Sequence, residues 1–234
     1  MEFTVDAAVF DRYPAMHIGV LTLSGVDNSG SPPAATELHA AACAELASQP
    51  REAVLGDPRI TLWREIYRSM GTSPKKFRSS VEALARRVLS SGALPRISTV
   101  VDVYNVASVA YLLPFGAFDA SAVSGSLRVR FSPGGESFAP LGTDELQHTD
   151  AGEVVYSDDK HVLTRRWNHR DCDATKVTPE STDVVVLGEA ASDGLVPLLT
   201  EAMSFVATTL HDTAGASAVA SAILERDTPR VTLL

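Results

Sequence analysis

The chain has 234 residues, near the size at which a single hydrophobic core stops growing, so it has room for one domain or two fused half-cores but not for several modules. With 45% apolar and 21% charged residues it reads as an ordinary globular protein rather than a disordered, collagenous or coiled-coil one. Twenty Lys and Arg against 29 Asp and Glu leave a formal charge of −9, the wrong sign for a protein that coats DNA or other nucleic acid non-specifically.

The segment Met1-Glu2-Phe3-Thr4-Val5-Asp6 carries acids where a secretory signal carries Lys or Arg, so export is not expected. Cys43 and Cys172 lie far apart and form no CxxC pair, which fits two free thiols in a reduced, cytoplasmic protein. Met16–Leu23 is short, β-branched and followed by turn residues, and is predicted as a strand. Pro32-Pro33 opens an Ala-rich helix over Ala34–Ala47 that sets Leu38, Ala42 and Leu46 on one face. Asp57-Pro58 reads as a cap with proline in the first turn, starting a helix that carries Ile60, Trp63, Tyr67 and Met70 to Gly71. Ser73-Pro74 repeats that signal and predicts a helix over Pro74–Ser91, closed by Gly92.

Val100–Leu113 is apolar almost all round, which predicts a buried central helix ending before Pro114; it is too short, and too interrupted by Asp102 and Asn105, to span a bilayer. Beyond it the pattern becomes strand-like over Leu127–Phe131, Glu153–Ser157, Val162–Trp167 and Val184–Leu187, with a hairpin turn at Ser157-Asp158-Asp159-Lys160. A last helix over Leu195–His211 and an edge strand over Val231–Leu234 complete the chain. The helix-rich 32–113, strand-rich 120–190 and C-terminal helix 195–211 together predict an α+β fold in one domain over 1–234.

No phosphate-binding glycine loop, GxGxxG, GxSxG or HExxH stands in the sequence, which removes support for NTPase, dinucleotide-dependent, α/β-hydrolase and zincin chemistry. His169, Asp171, Cys172 and Asp173 are dense but match no metal-ligand spacing, so no metal is expected. Between Arg64 and Arg96, eight bases stand against two acids, a local +6 that leaves −15 elsewhere. Either two solvated helix faces or a phosphate-binding stripe accounts for it; on the second reading Lys75, Lys76 and Arg78 sit in a helical first turn whose amides also face outward. Arg165-Arg166-Trp167-Asn168-His169-Arg170-Asp171 combines guanidiniums, rings and an amide, as a site for a single-stranded RNA end needs, or it is a charge-balanced strand terminus.

The ordered series Gly92-Ala93-Leu94-Pro95-Arg96-Ile97, Val101-Asp102-Val103-Tyr104-Asn105, Pro114-Phe115-Gly116-Ala117-Phe118-Asp119, Leu127-Arg128, Gly135-Glu136, Leu141-Gly142 and Gly152-Glu153-Val154-Val155-Tyr156 resembles the B3/B4 domain of the bacterial phenylalanyl-tRNA synthetase beta subunit. It runs over about Gly92–Ala190, and Arg78–Leu84 with Asn168-His169-Arg170-Asp171 extends the likeness to free-standing B3/B4-domain proteins. The resemblance implies a β-sandwich-like mixed sheet with packed helices, no cofactor, and hydrolysis of the ester that joins a wrongly chosen amino acid to a tRNA 3′ end. The synthetase pattern has His in its Pro-x-His-x-Phe-Asp segment where this chain has Gly116, so any step through that imidazole is lost.

On this resemblance Glu189 is the candidate catalytic residue, binding the α-ammonium or orienting a water, and Gly116 leaves room for a side chain or ribose. Asn168 and Arg170 would hold the terminal ribose or phosphate, with Asp171 beside them. Asp102 and Asn105, three apart on one helix face, and Asp119 would join the substrate pocket, or else serve as caps and buried hydrogen-bond partners. Lys75, Lys76, Arg78, Arg165 and Arg166 would contact tRNA. The leading expectation is a trans-acting editing deacylase of mischarged aminoacyl-tRNA. Its rivals are a non-catalytic tRNA- or amino-acid-binding module and a hydrolase of small amino-acid esters or metabolites.

Overall fold

The computed structural model describes residues 1–143 and 145–233. In chain order the elements are β1 (Glu2–Val5), α1 (Ala7–Arg12), β2 (His17–Ser24), α2 (Pro33–Ala47), α3 (Arg51–Leu55), α4 (Pro58–Ser69), α5 (Ser80–Ser91), α6 (Thr99–Tyr111), β3 (Phe115–Asp119), β4 (Leu127–Phe131), β5 (Ser137–Phe138), β6 (Gln147–His148), β7 (Val154–Ser157), β8 (Val162–Arg165), β9 (Arg170–Asp171), β10 (Val184–Ala190), α7 (Val196–Ala214), β11 (Ser217–Leu224) and β12 (Arg230–Thr232). The fold is α+β. One sheet has the order β12-β1-β4-β7-β8-β9, mixed because β1 and β4 run parallel; the other is antiparallel, in the order β11-β2-β10-β3. β5 and β6 form a separate ribbon.

Strand β10 is buried at all seven positions because both faces of its sheet are covered. Val184, Val186 and Ala190 point to one side, where they pack with Val103 and Ala107 of α6 and Leu199 and Val206 of α7. Val185 and Leu187 point to the other, into a core shared with Phe3, Val129 and Tyr156 of the six-stranded sheet. Strand alternation therefore puts Glu189, two residues beyond Leu187, on the inter-sheet side. The architecture is a sandwich of two sheets with α6 and α7 laid over the outer face of the smaller one.

Two glycines let α7 approach. Gly19 of β2 and Gly188 of β10 are register partners, and a Cβ at either would fall 2.9 Å from Met203 Cγ or 2.8 Å from the Phe115 ring, with Leu199 Cδ1 3.4 and 3.0 Å away. The close packing of α7 fixes β10 from behind and so fixes Glu189 in front. Helix α6 is buried over nearly its whole length and ends at Leu112 in a left-handed conformation, with Ser108 Oγ donating to the Leu113 carbonyl before Pro114.

The helix predicted over Pro74–Ser91 begins instead at Ser80, capped by Ser79, whose hydroxyl accepts from the Glu82 amide. Ser73-Pro74 opens a turn in which the amides of Lys76 and Phe77 both donate to the Ser73 carbonyl. The turn ends because Phe77 leaves the helical path to pack edge-on against His169, 5.2 Å between centroids. Lys75, Lys76 and Arg78 thus precede the helix and form no first turn. Strands β1, β3 and β11 have no counterpart among the predicted elements, and β12 pairs with β1 at the sheet edge; Leu234, included in the predicted edge strand, lies outside the described residues.

Because nothing lies within 4 Å of a Cβ built on Gly116, Gly116→Ala is expected to change unfolding free energy by no more than about 0.5 kcal/mol. Gly188→Val forces a branched side chain against Phe115 and Leu199 and is expected to cost about 1–3 kcal/mol. Urea denaturation of the two variants beside the parent checks both values.

Candidate active site between the two sheets

A small cleft opens between the sheets. The smaller sheet contributes Pro114 to Phe118, Leu187 and Glu189; the larger contributes Tyr156, Thr164 and Asp171; the β8–β9 connection adds Trp167 and Asn168, and Ser80 closes one end.

That connection is held in a strained shape. Arg166 and Trp167 both take positive φ, 48° and 67°, a conformation costly for side chains of this size and found where surroundings over-determine it. The Trp167 amide donates to Val154 O at 2.7 Å, His169 N to Arg165 O at 3.1 Å, and Ser80 N to Asn168 O at 3.1 Å. The Trp63 ring of α4 meets the Trp167 ring edge-on at 5.7 Å, and Tyr13 meets it edge-on at 5.1 Å. The result is that Asn168 is presented to the cleft on a fixed backbone.

Glu189 is only 3% exposed and has no cationic partner among the described residues. Tyr156 Oη donates to one carboxylate oxygen and Asn168 Nδ2 to the other. Tyr67 Oη donates in turn to Asn168 Oδ1 at 3.0 Å, which fixes the amide with its NH₂ toward the carboxylate. Burial raises the Glu189 pKa to about 7; the bonds from Tyr156 and Asn168 and the nearby Trp167 indole N–H oppose that rise, and Asp171 adds to it. The indole N–H makes no formed hydrogen bond among the described residues. Burial, and after it the charge of Glu189, holds the Tyr67 and Tyr156 phenols well above their ordinary range, so both remain donors. Asp171 is likewise raised by burial, partly offset by Thr164 Oγ1, which donates to its Oδ1 at 2.8 Å.

The structure brings together Glu189, Gly116, Asn168 and Asp171 from the predicted site. Asp102 and Asn105 do not line the cleft. Asp102 is buried against Arg96 Nε at 2.5 Å and the Ile97 amide at 2.9 Å, a pairing that anchors the start of α6. Asn105 is buried within the same helix. Asp119 accepts from Ser121 N, Ser121 Oγ and Ser181 Oγ, at 2.9, 2.6 and 2.5 Å, and so serves as a cap. Tyr67, Tyr156 and Thr164 were not among the predicted site residues, and Trp167 entered only as a ring of the Arg165–Asp171 segment; Tyr67 carries the apolar stripe of α4 and Tyr156 an alternating strand, patterns that report burial and not what the hydroxyl meets.

Arg165 and Arg166 are 3% and 8% exposed, not free surface cations. Arg165 Nε bonds Glu153 at 2.7 Å and Arg166 Nη2 bonds Asp150 at 2.6 Å. A carboxylate as buried as Glu153 requires such partners, which is why these guanidiniums turn inward. Arg166 also lies 3.8 Å from the centroid of Phe77. Lys75, Lys76 and Arg170 are exposed, and Arg78 is half-buried; none has an ion-pair partner among the described residues. Phe77, Gln147, His169 and Arg170 line a recess with Arg165 and Arg166 on the outer side of the loop that carries Asn168. Among the described residues no group of three or more His, Cys, Asp and Glu side chains is placed to hold a metal, and no helix is long and apolar enough to cross a membrane.

The family model of the B3/4 domain matches residues 62–196, which include every residue lining the cleft. The chain belongs to the B3/4 domain family. It is similar to the phenylalanine–tRNA ligase beta subunit of Nocardia farcinica (strain IFM 10152), 44% identical over 110 residues. That stretch is 47% of this chain and 12% of the relative's length, so the B3/4 chain spans a small part of the protein it matches. The crystal structure of an N-terminal fragment of the phenylalanyl-tRNA synthetase beta-subunit from Pyrococcus horikoshii aligns with 92% of this chain and 49% of that one, at 13% identity and a TM-score of 0.49.

The Glu189 carboxyl has its pKa raised from 4.5 to about 7, so its contribution to stability is full below pH 4.5 and is lost as pH rises toward 7, by about 3 kcal/mol in all. Glu189→Gln removes this titration. The expected result is a melting-temperature difference, variant minus parent, that grows in the variant's favour between pH 4.5 and 7 and is level above it.

Proposed function

We propose that this B3/4 chain, acting as one unit over residues 1–234, hydrolyses the ester of mischarged aminoacyl-tRNA in trans. The observation that carries the reading is Glu189: a carboxyl with a pKa of about 7, lining a cleft in a B3/4 domain and oriented by Tyr156 and Asn168. A base whose pKa lies near neutral pH combines a useful ionised fraction with real affinity for a proton.

In the proposed reaction Glu189 takes a proton from a water while the water oxygen adds to the ester carbonyl. Collapse of the tetrahedral intermediate breaks the bond to the ribose oxygen, which receives the proton, leaving a free amino acid and an uncharged 3′ end. An aminoacyl ester is already activated, so positioning and one base supply what the step needs. Gly116 leaves open the space that a histidine would fill in the synthetase pattern, and the step uses no imidazole. Arg170, Lys75, Lys76 and Arg78 are assigned to the phosphates near the tRNA end; Arg165 and Arg166 act behind them by holding the recess in shape.

A specific observation favours a second reading, a non-catalytic binding module. Each oxygen of Glu189 already accepts one hydrogen bond, and these bonds oppose the rise in its pKa and occupy lone pairs that an attacking water would use.

Deacylation of a panel of correctly and incorrectly charged tRNAs separates the two. On the editing reading one mischarged species is lost, its rate rises through about pH 7 as Glu189 ionises, and Glu189→Gln lowers it at least 100-fold. Salt-sensitive tRNA binding without turnover of any species selects the binding module; absence of both removes tRNA as the partner.

A further inference from the structure

The Glu189 cleft shares part of its wall with a second concavity: Ala117, Phe118 and Asp171 line both. Its remaining wall is largely apolar, with Ile97, Val101, Leu141 and Val177. Ile97 and Leu141 are 55% and 39% exposed, two of only four large apolar side chains so exposed among the described residues, and both stand at this lobe. Apolar surface left open around a concave site marks a place where a ligand completes the packing.

Asp171 and Tyr104 are among the polar groups that interrupt that wall. Asp171 uses Oδ1 for Thr164, while its Oδ2 has no hydrogen-bond partner among the described residues. Tyr104 also lines this lobe, its hydroxyl likewise without a hydrogen-bond partner among them, and Asp171 is the foremost charge acting on it. A carboxylate oxygen left without a donor, on the wall the two concavities share, suits a cation with hydrogens to give.

Resting on the editing reading, we infer that this second lobe is the amino-acid specificity site: Asp171 binds the free α-ammonium, and an apolar side chain, aliphatic or aromatic, lies against Val101, Leu141 and Val177. The ester carbonyl then faces Glu189 past the shared wall. The lobe offers an apolar side chain burial, while its one cation among the described residues, Lys176, is already paired with Asp173.

Calorimetric titration of the full chain with L-phenylalaninamide, glycinamide and N-acetyl-L-phenylalaninamide tests this without tRNA. L-phenylalaninamide is expected to bind at least tenfold more tightly than either of the others, which lack the side chain or the charge. Asp171→Asn is expected to remove at least tenfold of that affinity, and Leu141→Ser, at the exposed rim, severalfold, without changing glycinamide binding. Equal affinity for the acetylated and free amides overturns the assignment of Asp171. Binding abolished by Gly116→Leu and untouched by Leu141→Ser moves the side chain to the Glu189 lobe and overturns the proposal. If Asp171→Asn does not fold, the comparison of the three amides on the parent chain decides. Loss of amide discrimination with deacylation intact defeats the lobe alone; discrimination without deacylation defeats the editing reading and leaves the lobe a binding site.

Discussion

The constraint on which the rest of the site depends is the desolvation of one carboxylate. Glu189 sits between two sheets with no cation among the described residues to neutralise it, and three neutral donors stand around it where an ion pair would usually be. Neutral hydrogen bonds return only part of what burial removes, so the proton is held to a pH at which an exposed glutamate has long since lost it. A cation paired with Glu189 would hold it ionised and leave a carboxylate too weakly basic to accept a proton at neutral pH. The arrangement therefore trades local stability for proton affinity, as sites that move protons commonly do.

Holding such a carboxylate requires rigidity on both of its sides. Behind β10, the Gly19–Gly188 pair lets Met203 and Leu199 of α7 press against the backbone, which leaves that strand little freedom to retreat. In front, the Arg166–Trp167 backbone is held in a left-handed turn by the Trp63 and Tyr13 rings and by the salt bridges to Glu153 and Asp150. Those salt bridges lie away from the cleft, yet they fix the loop from which Asn168 reaches Glu189. Arginines that look like ligand contacts in the sequence are thus positioning residues for the amide beside them.

Much of the helical layer was legible because caps and 3.6-residue periodicity are local signals: Asp57-Pro58 starts α4 and Gly92 ends α5 as their side chains and backbone freedom require. The error at Ser73-Pro74 arose because the same cap chemistry also starts a turn, and what decides between them is Phe77 finding His169, some ninety residues away. Strands β1 and β3 were missed for a related reason, since short strands gain their stability from partners that only the tertiary fold supplies, and β11 was missed because its Ser- and Ala-rich, largely exposed run shows no apolar alternation. In the site, Glu189, Gly116 and Asn168 were reached through a family pattern and not through periodicity. Tyr156, Thr164 and Tyr67 carry no signal of their own: a buried tyrosine reads the same whether or not its hydroxyl meets a carboxylate.

Charge counting over the sequence overstates the free positive surface for the same physical reason. Of the eight bases between Arg64 and Arg96, Arg64 and Arg86 both close on buried Glu82 and Arg96 on buried Asp102. These three neutralise acids inside the protein and offer little to a partner outside it. The cations left near the cleft, Lys75, Lys76, Arg78 and Arg170, gather on the turn before α5 and on the strand beyond the Asn168 loop, which are joined through Phe77 and His169. A patch of that extent on a chain of charge −9 can neutralise a few phosphates and no more. Long-range repulsion elsewhere and short-range attraction here would, on the proposed reading, favour a nucleic acid that approaches end-on.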